Sequence, residues 1–260
     1  MRIHPVVSVI FKFTLILCSQ HSFADEIKIA ADPWCPFSCE STNEKPGVFL
    51  DVAKKVFAAH GHQVTYEKVN WARAVSDTRN GKFVAIVGAL KLDAPDFIFP
   101  EESFIDQKSC FYVSKGSAWR YKDISSLSNV LLGAVQDYTY GEPLDAYIAR
   151  KKNDSARIDF VAGVGTTAKL LKKMADLRND VIVEDKSVVD YNLKNNRDLQ
   201  GIKMQLAGCL PSAPMYIAFS PRNPKSKEYA KIFSEGLRKM RKTKELEAIF
   251  QSYGISREKP

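Results

Sequence analysis

The segment FVAIVGALKLDAPDFIFPEESFIDQKSC, residues 83–110, decides the predicted fold. Its first five residues form an apolar, β-branched run after the turn at residues 80–82, which predicts a strand buried on both faces, as in a parallel sheet. The run ends at Gly88 and Ala89, where small residues let a ligand approach the backbone, at the strand end where open α/β sheets bind ligands. A loop and a second extended run at residues 109–113 follow. The segment therefore predicts the edge of a pocket and then a passage into a second unit.

Strands and helices alternate on both sides of this segment. The predicted strands are 26–31, 63–69, 83–87, 109–113, 130–135, 158–161, 181–183, 204–210 and 215–219, and the predicted helices are 48–59, 71–79, 140–150, 166–177, 187–193 and one or two helices in 226–253. This order predicts an α/β protein of two units in series, joined near residues 104–110, with a late strand that could return to the first unit.

The N-terminus is typical of a secretory signal peptide, residues 1–24. Arg2 precedes a mostly apolar stretch, and a small-x-small motif at residues 22–24 predicts cleavage before Asp25. The apolar stretch is too short for a membrane span, and Leu17 disfavours lipoprotein processing at Cys18. The chain carries a net charge of +8, but its basic residues concentrate only in the last predicted helix. A solvated helix face explains that cluster better than a nucleic-acid site in an exported protein, so no nucleic-acid partner is expected.

Four cysteines follow the predicted cleavage site: Cys35, Cys39, Cys110 and Cys209. An even number in an exported chain favours disulfides. The simplest pairing closes a local loop between the first two and leaves the other two for each other, although the sequence does not fix the connectivity. Zinc is disfavoured because the C-x3-C spacing has no second pair, and only His60 and His62 follow the signal peptide. We expect neither a metal nor a cofactor.

Several short motifs occur in order along residues 25–260. They are WCPFS at 34–38, GVFLDVA at 47–53, Trp71 with NGK at 80–82, GAVQ at 133–136, the segment 179–185 and YG at 253–254. Each is weak alone, but their order and spacing resemble the bacterial extracellular solute-binding proteins of family 3, the polar amino-acid receptors of ABC importers.

The resemblance implies a two-lobed fold of the periplasmic-binding-protein type II. Each lobe would be a mostly parallel sheet flanked by helices, and two hinge strands would join the lobes around a ligand cleft. Lobe 1 would comprise residues 25–106 and 213–260, and lobe 2 residues 107–212. It further implies a monomeric periplasmic receptor whose partners are a small polar ligand and a membrane permease.

The resemblance also assigns ligand-binding residues in lobe 1. Trp34 and Trp71 fall where family members place aromatic side chains around the ligand; the alternative for each is a packed core aromatic. Gly88, Ala89 and Lys91 occupy the segment where the family supplies backbone and hydroxyl hydrogen bonds.

In lobe 2 the resemblance points to two strand ends. Thr139, with the backbone of Tyr138 and Tyr140, would lie at a helix N-terminus, where free N–H groups suit an anion. Asp185 matches the carboxylate that receives a ligand's α-ammonium group. Its alternative role is the N-cap of the following helix, and both roles could hold.

The sequence departs from the family at one position. Amino-acid receptors of this kind carry an arginine shortly after the Gly88 segment that clamps the α-carboxylate. No arginine lies between Gly88 and Pro100, and Lys91 or Arg73 would not reproduce a planar fork there. We therefore expect the common proteinogenic amino acids to bind weakly or not at all.

Three functions fit this sequence. The first is a non-catalytic receptor for an ABC importer; the second is an enzyme on the same scaffold, dehydratase-like; the third is a soluble sensory partner of a membrane receptor. A nucleophilic triad is disfavoured because His60 and His62 are near no strand-end Ser or Cys motif. Candidate acids in the cleft region are Asp93, Asp137, Glu184 and Asp185. The receptor, and not an enzyme, is the function that we expect.

Overall fold

The computed structural model describes residues 24–39 and 45–255, so residues 1–23 of the predicted signal peptide lie outside the described residues. The described chain contains these strands: β1 (Glu26–Ala31), β2 (Gln63–Lys68), β3 (Ala85–Ala89), β4 (Ile105–Gln107), β5 (Ser109–Ser114), β6 (Leu132–Val135), β7 (Ile158–Val161), β8 (Val181–Asp185), β9 (Met204–Cys209) and β10 (Ala213–Phe219). Its α-helices are α1 (Val48–Ala58), α2 (Trp71–Arg79), α3 (Leu144–Lys151), α4 (Thr166–Ala175), α5 (Lys186–Asn195), α6 (Ser226–Lys242) and α7 (Glu245–Ser252). Among the described helices, none has the length and apolar character needed to cross a membrane.

The strands form two five-stranded sheets, which confirms the predicted two-lobed α/β class. The first sheet has the order β2-β1-β3-β10-β4 and the second β7-β6-β8-β5-β9. Each sheet is mixed, with two parallel and two antiparallel pairings, but four of its five strands run in the same direction, in keeping with the predicted mostly parallel sheets. The antiparallel pairings all involve β5 or β10, which follow the passages between the sheets and run against the strands of the βαβ units.

The first sheet is covered by helices on both faces, as the period of two in its strands requires. In β1, Ile27 and Ile29 point into the core shared with α1, α6 and α7. Ala30, the residue after Ile29, belongs to the opposite face of the sheet and packs with Ala74 of α2. The structure built on this sheet is called the first lobe below, and that built on the other sheet the second lobe.

The chain passes between the lobes twice. The first passage is Lys108, between β4 and β5, and the second is residues 210–212, between β9 and β10. Cys110 and Cys209 lie opposite each other in the β5–β9 pair and form a disulfide next to both passages. Cys35 and Cys39 form the second disulfide. Both pairings are the ones that the sequence favoured.

Helix α3 begins later than predicted, at Leu144 instead of Tyr140. Gly141 has a φ of 100°, outside the helical region, so the helix cannot extend back through it. The Asp145 carboxylate accepts hydrogen bonds from the N–H groups of Tyr140 and Gly141, both at 2.9 Å. The prediction that Thr139 lies at a helix N-terminus is therefore wrong, and Asp145 occupies N–H groups that were expected to be free for an anion.

Candidate functional site

A small cavity lies between the two lobes, near the ends of β1, β3 and β6. Its volume is about 20 Å³, which is room for about one water molecule. The lining residues are Asp32, Trp34, Trp71, Val87, Gly88, Asp93, Gln107, Tyr138 and Thr139. Tyr138 and Thr139 belong to the second lobe and the others to the first, so the cavity is formed only where the lobes meet.

The loop after β1 places Asp32 and Trp34 in the cavity. This loop is closed by the Cys35–Cys39 disulfide and by a hydrogen bond of 2.6 Å from the Trp34 N–H to the Ser38 carbonyl. The Trp34 ring packs against Phe37, with 4.7 Å between ring centroids. Such a short, cross-linked loop holds a large aromatic side chain in one position at the edge of the sheet.

Gly88 in β3 lets the Trp34 ring lie close to the strand. Its φ is +85°, and a Cβ atom there would come within 3.4 Å of the ring. A side chain at this position would be strained by its backbone conformation, and its Cβ atom would be in van der Waals contact with the indole. Gly88 was predicted to let a ligand approach the backbone closely. In this structure the Trp34 ring lies next to the backbone at that position.

Hydrogen bonds join the lobes across the cavity. The Tyr138 hydroxyl donates to Asp32 Oδ2. The Gln107 Nε2 group donates to the Thr139 carbonyl at 3.2 Å. The Trp34 Nε1 group donates to Glu184 Oε1 of the second lobe at 3.1 Å. Side chains of the two lobes are thus in direct contact, and a ligand larger than a water molecule would have to move them apart.

The carboxylates around the cavity have raised pKa values. Burial raises the pKa of Asp32 to about 6, although the hydrogen bond from Tyr138 opposes this shift. Burial likewise raises the pKa of Asp93 to about 6, against hydrogen bonds from Thr139 and the Leu90 N–H. Neither lysine nor arginine is present among the lining residues. The site is therefore an acidic, aromatic cavity.

Glu184, at the end of β8, lies behind Trp34 and is fully enclosed. Its side chain accepts hydrogen bonds from Trp34 Nε1, from Thr167 Oγ1 at 2.9 Å and from the Asp185 N–H at 2.8 Å. Burial raises its pKa to about 7, in spite of these donors. A carboxyl group with such a pKa can be either protonated or ionised at neutral pH.

A larger cavity, of about 660 Å³, also lies between the lobes. Its lining residues are Pro33, Cys35, Cys39, Lys45, Gly165, Thr167, Ala168, Tyr191, Asn192, Asn195, Asn196 and Arg197. Thr167 lines this cavity and Trp34 lines the small one, and both are hydrogen bonded to Glu184. The Trp34–Glu184 pair therefore lies between the two cavities.

Comparison with known proteins agrees with this geometry. No protein-family model and no curated protein matches the sequence. Among solved structures, an amino acid ABC transporter substrate-binding protein from Streptococcus pneumoniae, bound to L-arginine, is similar with a TM-score of 0.69 and 14% identity over 88% of this chain and 94% of that one. A histidine kinase sensor domain with similarity to periplasmic binding proteins has a TM-score of 0.70 and 17% identity over 88% and 95%. An ancestral amino acid-binding protein, a precursor of cyclohexadienyl dehydratase, has a TM-score of 0.66 and 16% identity over 88% and 94%.

The chain has the fold of the periplasmic binding proteins. Each of these likenesses covers 88% of the chain, which is more than either lobe alone contains. At this level of identity they establish the fold alone. The three proteins differ in their described roles, so the fold does not choose between receptor, sensor and enzyme.

The periplasmic-binding-protein fold brings together only part of the predicted site. Trp34, Trp71, Gly88, Tyr138 and Thr139 all line the small cavity. The remaining predicted residues are absent from its lining; they are Arg73, Ala89, Lys91, Tyr140 and Asp185.

These residues have other contacts. Arg73 is exposed and its Nε pairs with Asp77 at 3.3 Å. The Lys91 ammonium lies 5.2 Å from the centroid of the Tyr216 ring. Ala89 is fully buried, and the Tyr140 hydroxyl accepts a hydrogen bond of 2.7 Å from the Val135 N–H. The two cations proposed as substitutes for the missing arginine thus do not reach the cavity.

Asp185 has the helix-cap role in this fold. Its Oδ1 accepts from the N–H groups of Ser187 at 2.8 Å and Val188 at 3.3 Å, and its Oδ2 from the Lys108 N–H at 2.8 Å. Burial raises its pKa to about 6. Both carboxylate oxygens accept hydrogen bonds from backbone N–H groups. One does so at the start of α5 and the other at the passage between the lobes.

Four lining residues were not selected as ligand-binding residues from the sequence: Asp32, Val87, Asp93 and Gln107. Asp32 carried a usable signal, since it follows the first strand and precedes Trp34, the same strand-end position that drew attention to Asp185. Asp93 was noted only as a candidate acid. Gln107 is at the end of a three-residue strand, and nothing in the local sequence distinguishes it from a surface residue.

Proposed function

We propose that this protein is an exported solute-binding receptor that closes its lobes on a small polar ligand and delivers the ligand to an ABC importer. The observation that carries the proposal is the cavity itself, which is lined from both lobes and closed by hydrogen bonds between them. A site assembled only by lobe closure couples ligand binding to a change of shape, which a membrane permease can recognise.

The ligand in this proposal lies between Trp34, Trp71 and Tyr138. These aromatic side chains supply apolar contact area, and the polar groups of Asp32, Asp93 and Thr139 fix the orientation of the ligand. The protein acts as a monomer in the periplasm and contacts one membrane permease.

One observation favours a second candidate, an enzyme on this scaffold. Glu184 is a buried carboxyl group with a pKa raised to about 7, close to the value that general acid–base catalysis requires. It is hydrogen bonded to Trp34, which lines the cavity, so a shift of Trp34 would bring Glu184 next to a bound molecule. Such a group could transfer a proton in a dehydration.

Native mass spectrometry of residues 25–260 tests both candidates. The protein is freed of small molecules, incubated with the low-molecular-mass fraction of a cell extract, desalted and analysed for bound metabolites. The receptor predicts that one chemically unaltered metabolite is retained and that Trp34→Ala abolishes its retention. Trp119→Ala is the matched control, since the Trp119 indole donates to the Ser126 carbonyl within the second lobe.

Two outcomes contradict the receptor. If no metabolite is retained by the wild-type protein, the proposal fails. If the metabolite is converted to a product, and Glu184→Gln stops the conversion without preventing retention, the enzyme is the correct candidate.

A further inference from the structure

We propose that the ligand is an organic cation without a carboxylate group, such as an amine or a guanidine compound. This inference rests on the proposed receptor function and specifies its ligand class. It follows from the charges, the hydrogen-bonding capacity and the aromatic surfaces of the cavity.

The charged residues that line the small cavity have one sign, and two basic residues between the lobes, Lys45 and Arg197, line the separate larger cavity. Asp32 and Asp93 line the small cavity from two different loops, and Glu184 lies directly behind Trp34. No lysine or arginine is among the lining residues, and the two predicted basic residues are engaged elsewhere, Arg73 with Asp77 and Lys91 over the Tyr216 ring. A ligand carboxylate would meet like charges here without a cation to neutralise it, whereas a ligand cation would meet two carboxylates.

The hydrogen-bonding groups of the cavity also favour a ligand cation over a ligand carboxylate. Its side-chain donors are already used: the Tyr138 hydroxyl donates to Asp32, Trp34 Nε1 donates to Glu184, and Gln107 Nε2 donates to Ser109 Oγ and to the Thr139 carbonyl. The Trp71 indole N–H is the lining side-chain donor that has no hydrogen bond to the described residues. One neutral N–H does not replace a bidentate arginine.

The acceptors, in contrast, have capacity to spare. A carboxylate offers about four acceptor positions. Asp32 Oδ2 accepts from Tyr138, and Asp93 Oδ2 accepts from the Leu90 N–H at 2.6 Å, with a further hydrogen bond from Thr139. The ligand that satisfies this cavity must therefore be mainly a donor, and an ammonium or guanidinium group is a donor without an acceptor.

The aromatic side chains complete the recognition of a cation. Trp34, Trp71 and Tyr138 all line the cavity, and Trp34 and Tyr138 meet edge to face with 6.2 Å between ring centroids. The faces of tryptophan and tyrosine rings attract a cation within about 6 Å, and the attraction is largest where water is excluded. Aromatic faces and carboxylates together select positive charge.

Calorimetry with matched pairs of compounds tests this inference. The pairs are agmatine and arginine, cadaverine and lysine, and choline and glycine betaine; within each pair the second compound has the carboxylate that the first lacks. We expect at least one cation to bind and to bind more tightly than its partner by about tenfold or more. We further expect Asp32→Asn and Asp93→Asn each to weaken that binding by about tenfold or more, because each removes one charge-assisted hydrogen bond.

Asp96→Asn is the matched control. Asp96 lies on the surface of the same lobe and pairs with Arg79 at 2.8 Å, so the variant loses the same charge outside the cavity and should bind normally. Thermal unfolding checks that the variants fold. The inference is overturned if the carboxylate-containing partner binds as tightly as the cation in every pair that binds, or if none of the three cations binds at about 1 mM.

Failure of the ligand class is distinguishable from failure of the receptor. If the cations fail here but native mass spectrometry finds a retained neutral or anionic metabolite, the receptor stands and only the cationic ligand is wrong. If nothing is retained in that experiment either, the receptor proposal fails as well.

Discussion

Asp32 shows how a single buried carboxylate can prepare a cleft for a ligand. It is 8% exposed, and its hydrogen bond from Tyr138 does not offset the loss of solvation that raises its pKa to about 6. An ionised carboxylate in such a place destabilises the ligand-free closed form. A cationic ligand removes this penalty, so the same feature that weakens the empty site strengthens the occupied one.

The ligand-free protein should be more stable at about pH 5 than at neutral pH. Asp32, Asp93 and Glu184 have folded-state pKa values raised to about 6, 6 and 7, so the folded protein binds more protons than the unfolded chain in this range. Their contribution to stability is therefore present at low pH and is lost as the pH rises through 6 to 7. Thermal unfolding measures it, at about 2 to 4 °C for each kcal/mol in a chain of this size.

Removing one buried carboxyl group tests whether these groups cause the pH dependence. In Asp32→Asn the rise of the melting temperature on acidification should be smaller than in the wild type, whereas Asp96→Asn should leave it unchanged. The pKa of Asp96 is lowered by its hydrogen bond from Arg79, so that group titrates only at lower pH. A melting temperature that falls steadily between pH 7 and about pH 5 would contradict the raised pKa values.

Trp34→Phe should weaken ligand binding by about tenfold or more, with the fold intact. The variant keeps the aromatic ring but removes the indole N–H that joins the first lobe to Glu184 of the second. Trp119→Phe removes an equivalent indole N–H, whose partner is the Ser126 carbonyl in the same lobe. It should cost about 1 kcal/mol of stability and leave affinity unchanged.

Calorimetry and denaturant unfolding separate the two variants. Equal affinity in the wild type and in Trp34→Phe would show that the indole hydrogen bond does not contribute to closure. Equal loss of affinity in both variants would point to a general loss of stability.

At the scale of elements, the junction of β8 and α5 connects the second lobe to the passage between lobes. Asp185 caps α5 and also accepts the Lys108 N–H, while the Lys186 N–H donates to the Lys108 carbonyl at 3.1 Å. The end of β8 is therefore fastened to the first passage by hydrogen bonds in both directions. These contacts stabilise the geometry of the hinge.

Asp185→Asn tests whether this residue is structural or binds the ligand. An amide has one acceptor oxygen, so it cannot accept both from the α5 N–H groups and from Lys108. We expect a loss of about 1 to 3 kcal/mol in the free energy of unfolding without ligand, and an affinity within about threefold of the wild type. The measurements are urea unfolding and calorimetry. The binding role that the sequence suggested predicts the reverse, unchanged stability with much weaker binding.

Most elements of this fold could be predicted from the sequence, because apolar periodicity and strand-helix alternation are local signals. The start of α3 could not, since it depends on Gly141 and on the contact of Asp145 with the preceding N–H groups. The reversed directions of β5 and β10 could not be predicted either, because they depend on how the chain passes from one sheet to the other and back.

Part of the lining of the small cavity could be predicted from the sequence. Trp34, Trp71 and Gly88 were found because they lie where the family that the sequence resembles places ligand-binding residues, and Gly88 also lies at a predicted strand end. Asp93 and Gln107 line the cavity only because the lobes close on each other, a long-range effect that no short stretch of sequence contains. The missing arginine and the candidate acid Asp93 were visible in the sequence, but the pairing of Asp93 with Asp32 in one cavity was not.

On the scale of the whole molecule, the two lobes meet across two cavities, and the small one, lined by Trp34, Trp71 and Tyr138, has room for about one water molecule. The lobes are joined by two short passages next to the Cys110–Cys209 disulfide, so a relative rotation about these passages can open the cleft. The hydrogen bonds of Tyr138, Gln107 and Trp34 across the cleft are the contacts that opening must break. Ligand binding in this account is a change in the balance between open and closed forms.

Small-angle X-ray scattering with and without ligand tests whether the lobes close on the ligand. The ligand is the metabolite retained in the native mass spectrum, and the protein is residues 25–260 freed of small molecules. If the lobes close on the ligand, the radius of gyration falls when the ligand is added, and the double variant Asp32→Asn, Asp93→Asn shows no such fall at the same concentration. An unchanged radius of gyration in the wild-type protein, at a ligand concentration that saturates it, would contradict closure of the lobes on the ligand.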